Sequence, residues 1–223
     1  MHNEKESSTP IPLEPLKPRL RGWLHAVTAP LALANGIVLA VFAPDAGATV
    51  ACLVFMAASF FLFANSGVYH IGSWSPRADA VLRRIDHSNI FFLIAGTYTP
   101  LSVMLLRPME QLTVLLIVWG GAFIGSLSRI FWLDAPRFLY VSLYIALGWV
   151  AVWYLPQFWT NGSPAIVWLV LAGGISYTVG AVFYAFSWPN PWPRMWGFHE
   201  FFHLGTLGGF ICHVVAVWLA IFA

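Results

Sequence analysis

The sequence has little charge. Only 9% of its 223 residues are Asp, Glu, Lys or Arg, against roughly 25% in soluble domains. That deficit excludes an ordinary water-soluble globule, a disordered chain and a nucleic-acid-binding module. Eleven Lys and Arg against nine Asp and Glu leave a formal +2, too small a balance to argue for anionic partners. Cysteine is scarce as well. Cys52 and Cys212 both lie in long apolar runs, so neither a disulfide framework nor a thiolate zinc site has support, and both read as packing residues. What is abundant is apolar: the chain is 59% hydrophobic and 17% aromatic, the composition of an integral membrane protein.

A bilayer core of about 30 Å needs about 20 apolar residues per helix. Seven runs meet that length, at 22–43, 48–71, 86–106, 111–131, 137–156, 164–186 and 197–222. The fold class expected is therefore all-α, a polytopic seven-transmembrane-helix bundle. Residues 1–20 read as a short mobile tail, because Pro10, Pro12, Pro15 and Pro18 cannot sustain a helix, and residues 21–223 as one membrane domain. The first apolar run is longer than the ~7–15 residues of a signal-peptide core. Ser75-Pro76 is an N-cap followed by Pro at the first helical position. It extends the third helix upstream to about 31 residues, or ~46 Å. Asn190-Pro191-Trp192-Pro193 predicts a similar early start for the seventh.

Seven spans place odd and even loops on opposite sides. Ten basic residues, from Lys5 and Arg21 in the tail through Arg77, Arg83, Arg84, Arg129 and Arg137 to Arg194, fall on one side, and Arg107 stands alone on the other. This asymmetry predicts a cytoplasmic N-terminus and an outer C-terminus. Trp23, Trp74, Trp132, Trp159, Trp188 and Trp196 lie near span ends, as interfacial anchors do.

Ionisable side chains inside spans are costly and mark function by default. Here they collect at one end: His25, His70, Asp86, His87, His199, Glu200 and His203 all fall in the cytoplasmic half under that orientation, and His213 is deeper. A single intramembrane histidine is more often a hydrogen-bonded packing residue, but several with Asp86 on one side favour a metal. His199 and His203 are four apart and share a helix face. Ser66 and His70 repeat that spacing. Three imidazoles, His70, His199 and His203, would leave one zinc position open, the pattern of a catalytic site, with Asp86 hydrogen-bonded beside it. The string His199-Glu200-Phe201-Phe202-His203 also matches the HExxH pattern in which Glu is a general base.

These motifs together resemble the progestin and adipoQ receptor (PAQR) superfamily, and specifically its bacterial hemolysin III branch. The residues that carry the resemblance are Ser66-Gly67-Val68-Tyr69-His70, Arg84-Ile85-Asp86-His87-Ser88-Asn89-Ile90, Ala95-Gly96-Thr97-Tyr98-Thr99-Pro100 and Gly197-Phe198-His199-Glu200-Phe201-Phe202-His203, with Arg21-Gly22-Trp23-Leu24-His25 opening the first span. The resemblance implies seven helices with the N-terminus inside, zinc held by His70, His199 and His203, Asp86 in contact with the zinc-bound water, and Ser66 beside the site. It links the superfamily to alkaline ceramidases, which implies lipid-amide hydrolysis as the ancestral chemistry. It also weakens the protease reading, since the residue after the first histidine of the seventh helix varies in the family and a neighbour at i+1 points about 100° away.

The leading expectation is a zinc-dependent, hydrolase-like protein of the bacterial inner membrane acting on a lipid amide or ester, with Asp86 and Ser66 as catalytic groups and membrane lipids as partners. A membrane sensor in which zinc is structural, a role in membrane homeostasis, and a pore are the alternatives. The pore is disfavoured in a monomer because no line of polar residues crosses the bilayer. His25 and His213 read as packing or interfacial groups, and the paired glycines at 120–121, 173–174 and 208–209 as sites of close helix packing.

Overall fold

A computed structural model describes residues 18–223, so most of the expected N-terminal tail lies outside the described residues. Seven helices are long and apolar enough to cross a membrane: α1 (Trp23–Phe42), α2 (Ala46–Ile71), α3 (Pro76–Leu105), α4 (Pro108–Phe131), α5 (Arg137–Asn161), α6 (Pro164–Phe186) and α7 (Phe198–Ile221). They form a seven-span bundle, and the described residues contain no β-strand beyond one isolated bridge.

The helix starts follow local chemistry. Asp45 accepts the Ala48 N–H at 2.8 Å to cap α2, and Ser163 accepts that of Ile166 before Pro164 opens α6. Ser75 caps α3 in the same way, so α3 begins at Pro76 and runs 30 residues, as the Ser-Pro pair predicts. The early start expected for the last helix does not form. Pro191 and Pro193 push the residues before them away from helical geometry, and Trp192 instead pairs with Trp196 in an antiparallel bridge. Helix α7 starts at Phe198, with Asn190 Oδ1 accepting the Phe198 N–H at 3.2 Å.

Helices α1 to α4 pack in sequence, α6 pairs tightly with α7, and α7 closes the bundle against α1 and α3. The α6–α7 pair depends on missing side chains. A Cβ on Gly205 would come within 2.8 Å of the Gly180 Cα and the Ser176 carbonyl oxygen, so these backbones meet at a distance only glycine permits. Helix α5 attaches more loosely and is irregular, with a 3₁₀ stretch over Trp149–Tyr154. Tyr98 of α3 explains the break: its hydroxyl accepts the Ala151 N–H and donates to the Gly148 carbonyl, both at 2.6 Å. A side chain inserted into the helical ladder satisfies backbone groups that would otherwise be stranded in lipid.

Candidate metal centre

His70 sits in the last turn of α2 and His199 and His203 in the first two turns of α7. The start of α7 is pinned by Glu200, whose buried carboxylate accepts the Gly197 N–H at 2.7 Å and the Arg21 Nε–H at 2.8 Å. One side chain therefore caps α7, ties it to the residues leading into α1, and fixes the register of the two histidines beside it. Both carboxylate oxygens are engaged in this cap and ion pair, which gives Glu200 a structural role.

The three histidines converge. One ring nitrogen from each of His70, His199 and His203 lies within 4.8 Å of the other two, and the Nε2 atoms of His70 and His199 are 3.2 Å apart. Two nitrogens bound at 2.0–2.1 Å to a tetrahedral zinc stand about 3.3 Å apart, so this pair already has the spacing of co-ligands. His70 and His203 are buried, and the donor set is all imidazole, which suits zinc and its neighbours in the first transition row. Asp86 reaches the cluster from α3, with Oδ2 at 3.6 Å from His70 Nε2, but falls outside the three-nitrogen set. Ser66 is buried one turn before His70; its hydroxyl makes no hydrogen bond among the described residues.

Two further histidines, His25 and His87, stand beside the cluster. His25 of α1 is 2% exposed and lies flat on His203, with ring centroids 3.9 Å apart at 16°. The His203 backbone carbonyl is within electrostatic reach, yet neither His25 nitrogen meets a partner at hydrogen-bond geometry. His87 is tied to Arg129, a residue counted with the loops from sequence but in fact 1% exposed on α4. Arg129 Nη2 contacts His87 Nδ1 at 2.8 Å, and its guanidinium also donates to the carbonyls of Trp132 and Leu133 and covers the Tyr140 ring at 4.1 Å. Guanidinium has no acceptor, so Nδ1 must accept and the ring proton of His87 sits on Nε2. The only sequence signal for this group was an arginine inside an apolar run. His213 is remote from the cluster, buried against Gly173 and 3.3 Å from the Val170 carbonyl.

A small cavity of about 20 Å³ lies between Asp86, His87, Tyr144, Tyr184 and His199, room for about one water. It adjoins a larger, mainly apolar cavity of about 100 Å³ among α3, α5, α6 and α7. Ile90, Tyr144, Ala181 and Phe202 line both.

The haemolysin-III-related family model matches residues 14–214. The chain is 34% identical to Hemolysin-3 of Bacillus cereus over 190 residues, 83% of each chain. It is 30% identical to the Hemolysin-3 homolog of Bacillus subtilis strain 168 over 188 residues, covering 83% of this chain and 85% of that one. A plant relative, the heptahelical transmembrane protein ADIPOR2 of rice (Oryza sativa subsp. japonica), is 28% identical over 181 residues, 74% of this chain and 79% of its own. No solved structure matches. A seven-span bundle with three histidines gathered at one end, matched over nearly its whole membrane region, places the chain in the hemolysin III family, the bacterial branch of the PAQR superfamily.

Proposed function

We propose that the protein is a zinc-dependent hydrolase of the bacterial inner membrane that cleaves a lipid amide or ester, with its N-terminus and histidine cluster on the cytoplasmic side. The observation that carries this reading is the convergence of three imidazoles from two helices with a carboxylate 3.6 Å from one of them and an apolar cavity beside them. A zinc ion held by His70, His199 and His203 would supply Lewis acidity and a water made far more acidic than bulk water. Asp86 takes the proton of the attacking water and delivers it to the leaving nitrogen or oxygen as the C–N or C–O bond breaks, and the water oxygen ends on the acyl carbon. Ser66 is assigned to the developing oxyanion. The apolar part of the substrate enters from lipid and lies between the helices, with its polar linkage at Asp86 and His199. The ten-to-one arrangement of basic residues supports the orientation.

A second reading has zinc as a fastener between α2 and α7. Away from the histidines these helices meet through long side chains, such as Phe63 on Phe210 at 4.9 Å, rather than by close backbone packing, so a shared ion would add a tie that is otherwise weak. The test is metal content of the purified chain and of His70→Ala, His203→Ala and Asp86→Ala, followed by turnover of lipid amides and esters. About one zinc per chain in the native protein and in Asp86→Ala, none in the histidine variants, and turnover lost in Asp86→Ala support the hydrolase. Zinc that raises thermal stability without turnover in any variant supports the fastener, and a folded native chain that takes up no zinc overturns both.

A further inference from the structure

A groove of about 610 Å³ runs along the outer seam between α1 and α7. Its walls include Leu24, Val27 and Leu31 of α1 and Leu207, Ile211 and Val215 of α7. The seam exists because α1 leans mainly on α2 and touches α7 sparsely. From Trp23 to Asn35, both in its lining, α1 advances about 18 Å, somewhat more than one leaflet of a 30 Å core. Its polar lining residues are turned to internal partners: the Thr28 hydroxyl donates to the Leu24 carbonyl at 2.7 Å and Asn35 Oδ1 accepts the Trp218 indole N–H at 3.0 Å. The long wall is therefore apolar.

The mouth has a different character. Leu20, the exposed Trp23 and the half-buried Trp196 line it, and tryptophans at span ends mark the headgroup level of a bilayer. Backbone hydrogen bonds from Arg19 N to the Arg194 carbonyl (3.0 Å) and from Leu20 N to the Met195 carbonyl (3.4 Å) bring three arginines to this one point. Arg21 is occupied by Glu200. Arg19 and Arg194 are exposed, and their side chains have no acidic partner among the described residues. The apolar wall ends at two exposed cations, the complement of an apolar chain that ends in an anionic headgroup.

We propose that this groove binds one anionic phospholipid of the leaflet on the arginine-rich side, with an acyl chain along the α1–α7 seam and the phosphate held by Arg19 and Arg194. The bound lipid fills the gap between the first and last helices. This proposal stands independently of whether the metal centre is catalytic.

The experiment is native mass spectrometry of the full chain released from detergent, titrated separately with phosphatidylglycerol and phosphatidylcholine of the same chains. Two arginines without an acidic partner among the described residues predict retention of one phosphatidylglycerol with a preference over phosphatidylcholine on the order of 30-fold. The double variant R19Q/R194Q brings that preference below about 3-fold. Leu31→Trp, at a lipid-exposed position on the groove wall, fills the space without disturbing the core and removes retention of both lipids. Equal retention of the two lipids by the native chain, retention unchanged in Leu31→Trp, or a lipid-free dimer seated on this face would each overturn the proposal.

Discussion

Replacing Glu200 separates a structural carboxylate from a catalytic one. Its side chain is 1% exposed, accepts from Gly197 N and Arg21 Nε, and joins the start of α7 to the lead-in of α1. Glu200→Ala removes a helix cap worth about 1 kcal/mol and one partner of a largely buried ion pair. Breaking such pairs costs about 3–5 kcal/mol when both ions are fully enclosed, and the figure is smaller here because Arg21 is 22% exposed and can rehydrate. The net expectation is a loss of about 2–4 kcal/mol, or roughly 5–15 °C in the unfolding midpoint of a chain this size. Glu200→Gln keeps an acceptor for Gly197 and loses the charge, so its loss is about half as large. The assay is thermal unfolding in detergent with zinc content measured in parallel, and zinc per folded chain stays at the native value in both variants. An unfolding midpoint unchanged in Glu200→Ala would refute the structural assignment. So would a stable Glu200→Gln that loses lipid-amide turnover by the 10²–10⁴-fold expected of a missing general base.

Three further perturbations test the packing and the metal. Tyr98→Phe leaves the Ala151 N–H without its acceptor inside α5; a loss of about 1–3 kcal/mol and faster hydrogen exchange over Trp149–Tyr154 are expected, and unchanged exchange would contradict the role given to the hydroxyl. Gly205→Ala forces apart the α6 and α7 backbones and lowers stability by about 1–3 kcal/mol, whereas Gly120→Ala, where a methyl meets nothing within 4 Å, is neutral; equal effects of the two would sink the close-packing account. Zinc at about 100 times its dissociation constant stabilises the native chain by about 2.7 kcal/mol, so a chelator lowers the unfolding midpoint of the native protein and leaves His203→Ala unmoved.

Much of the architecture was legible because bilayer thickness acts as a ruler on the sequence. Seven apolar runs became seven spans, and Ser75-Pro76 announced the upstream start of α3 because the cap and the fixed proline φ act within four residues. Asn190 misled for an equally local reason: it caps α7, but across an intervening turn rather than as the residue before it. The i,i+4 spacing paired His199 with His203, and His70 joined them because it closes its span on the same side of the membrane, while no spacing rule measures the distance from α2 to α7. What stayed hidden was tertiary. The break in α5 is caused by a hydroxyl on α3, Glu200 meets an arginine 179 positions away, and Arg129 hides its charge among carbonyls and an imidazole rather than beside an acid.

The length of α3 fixes a depth. Leu105 lies 19 residues beyond Asp86, about 28 Å along the axis and close to the full hydrocarbon thickness of a bilayer. With the far end of α3 at one interface, Asp86 therefore stands where hydrocarbon gives way to headgroups on the other, and the ten residues from Pro76 rise past it as a post of about 15 Å. That boundary is the level at which membrane lipids carry their ester and amide linkages. Under the proposed function, a lipid diffusing in this leaflet would present its cleavable bond at the height of the carboxylate without being lifted from the membrane or drawn into it. On that proposal bilayer thickness would become a control on the protein: a thinner or thicker membrane would shift the linkage out of level with Asp86, and helix tilt would be the means of restoring it.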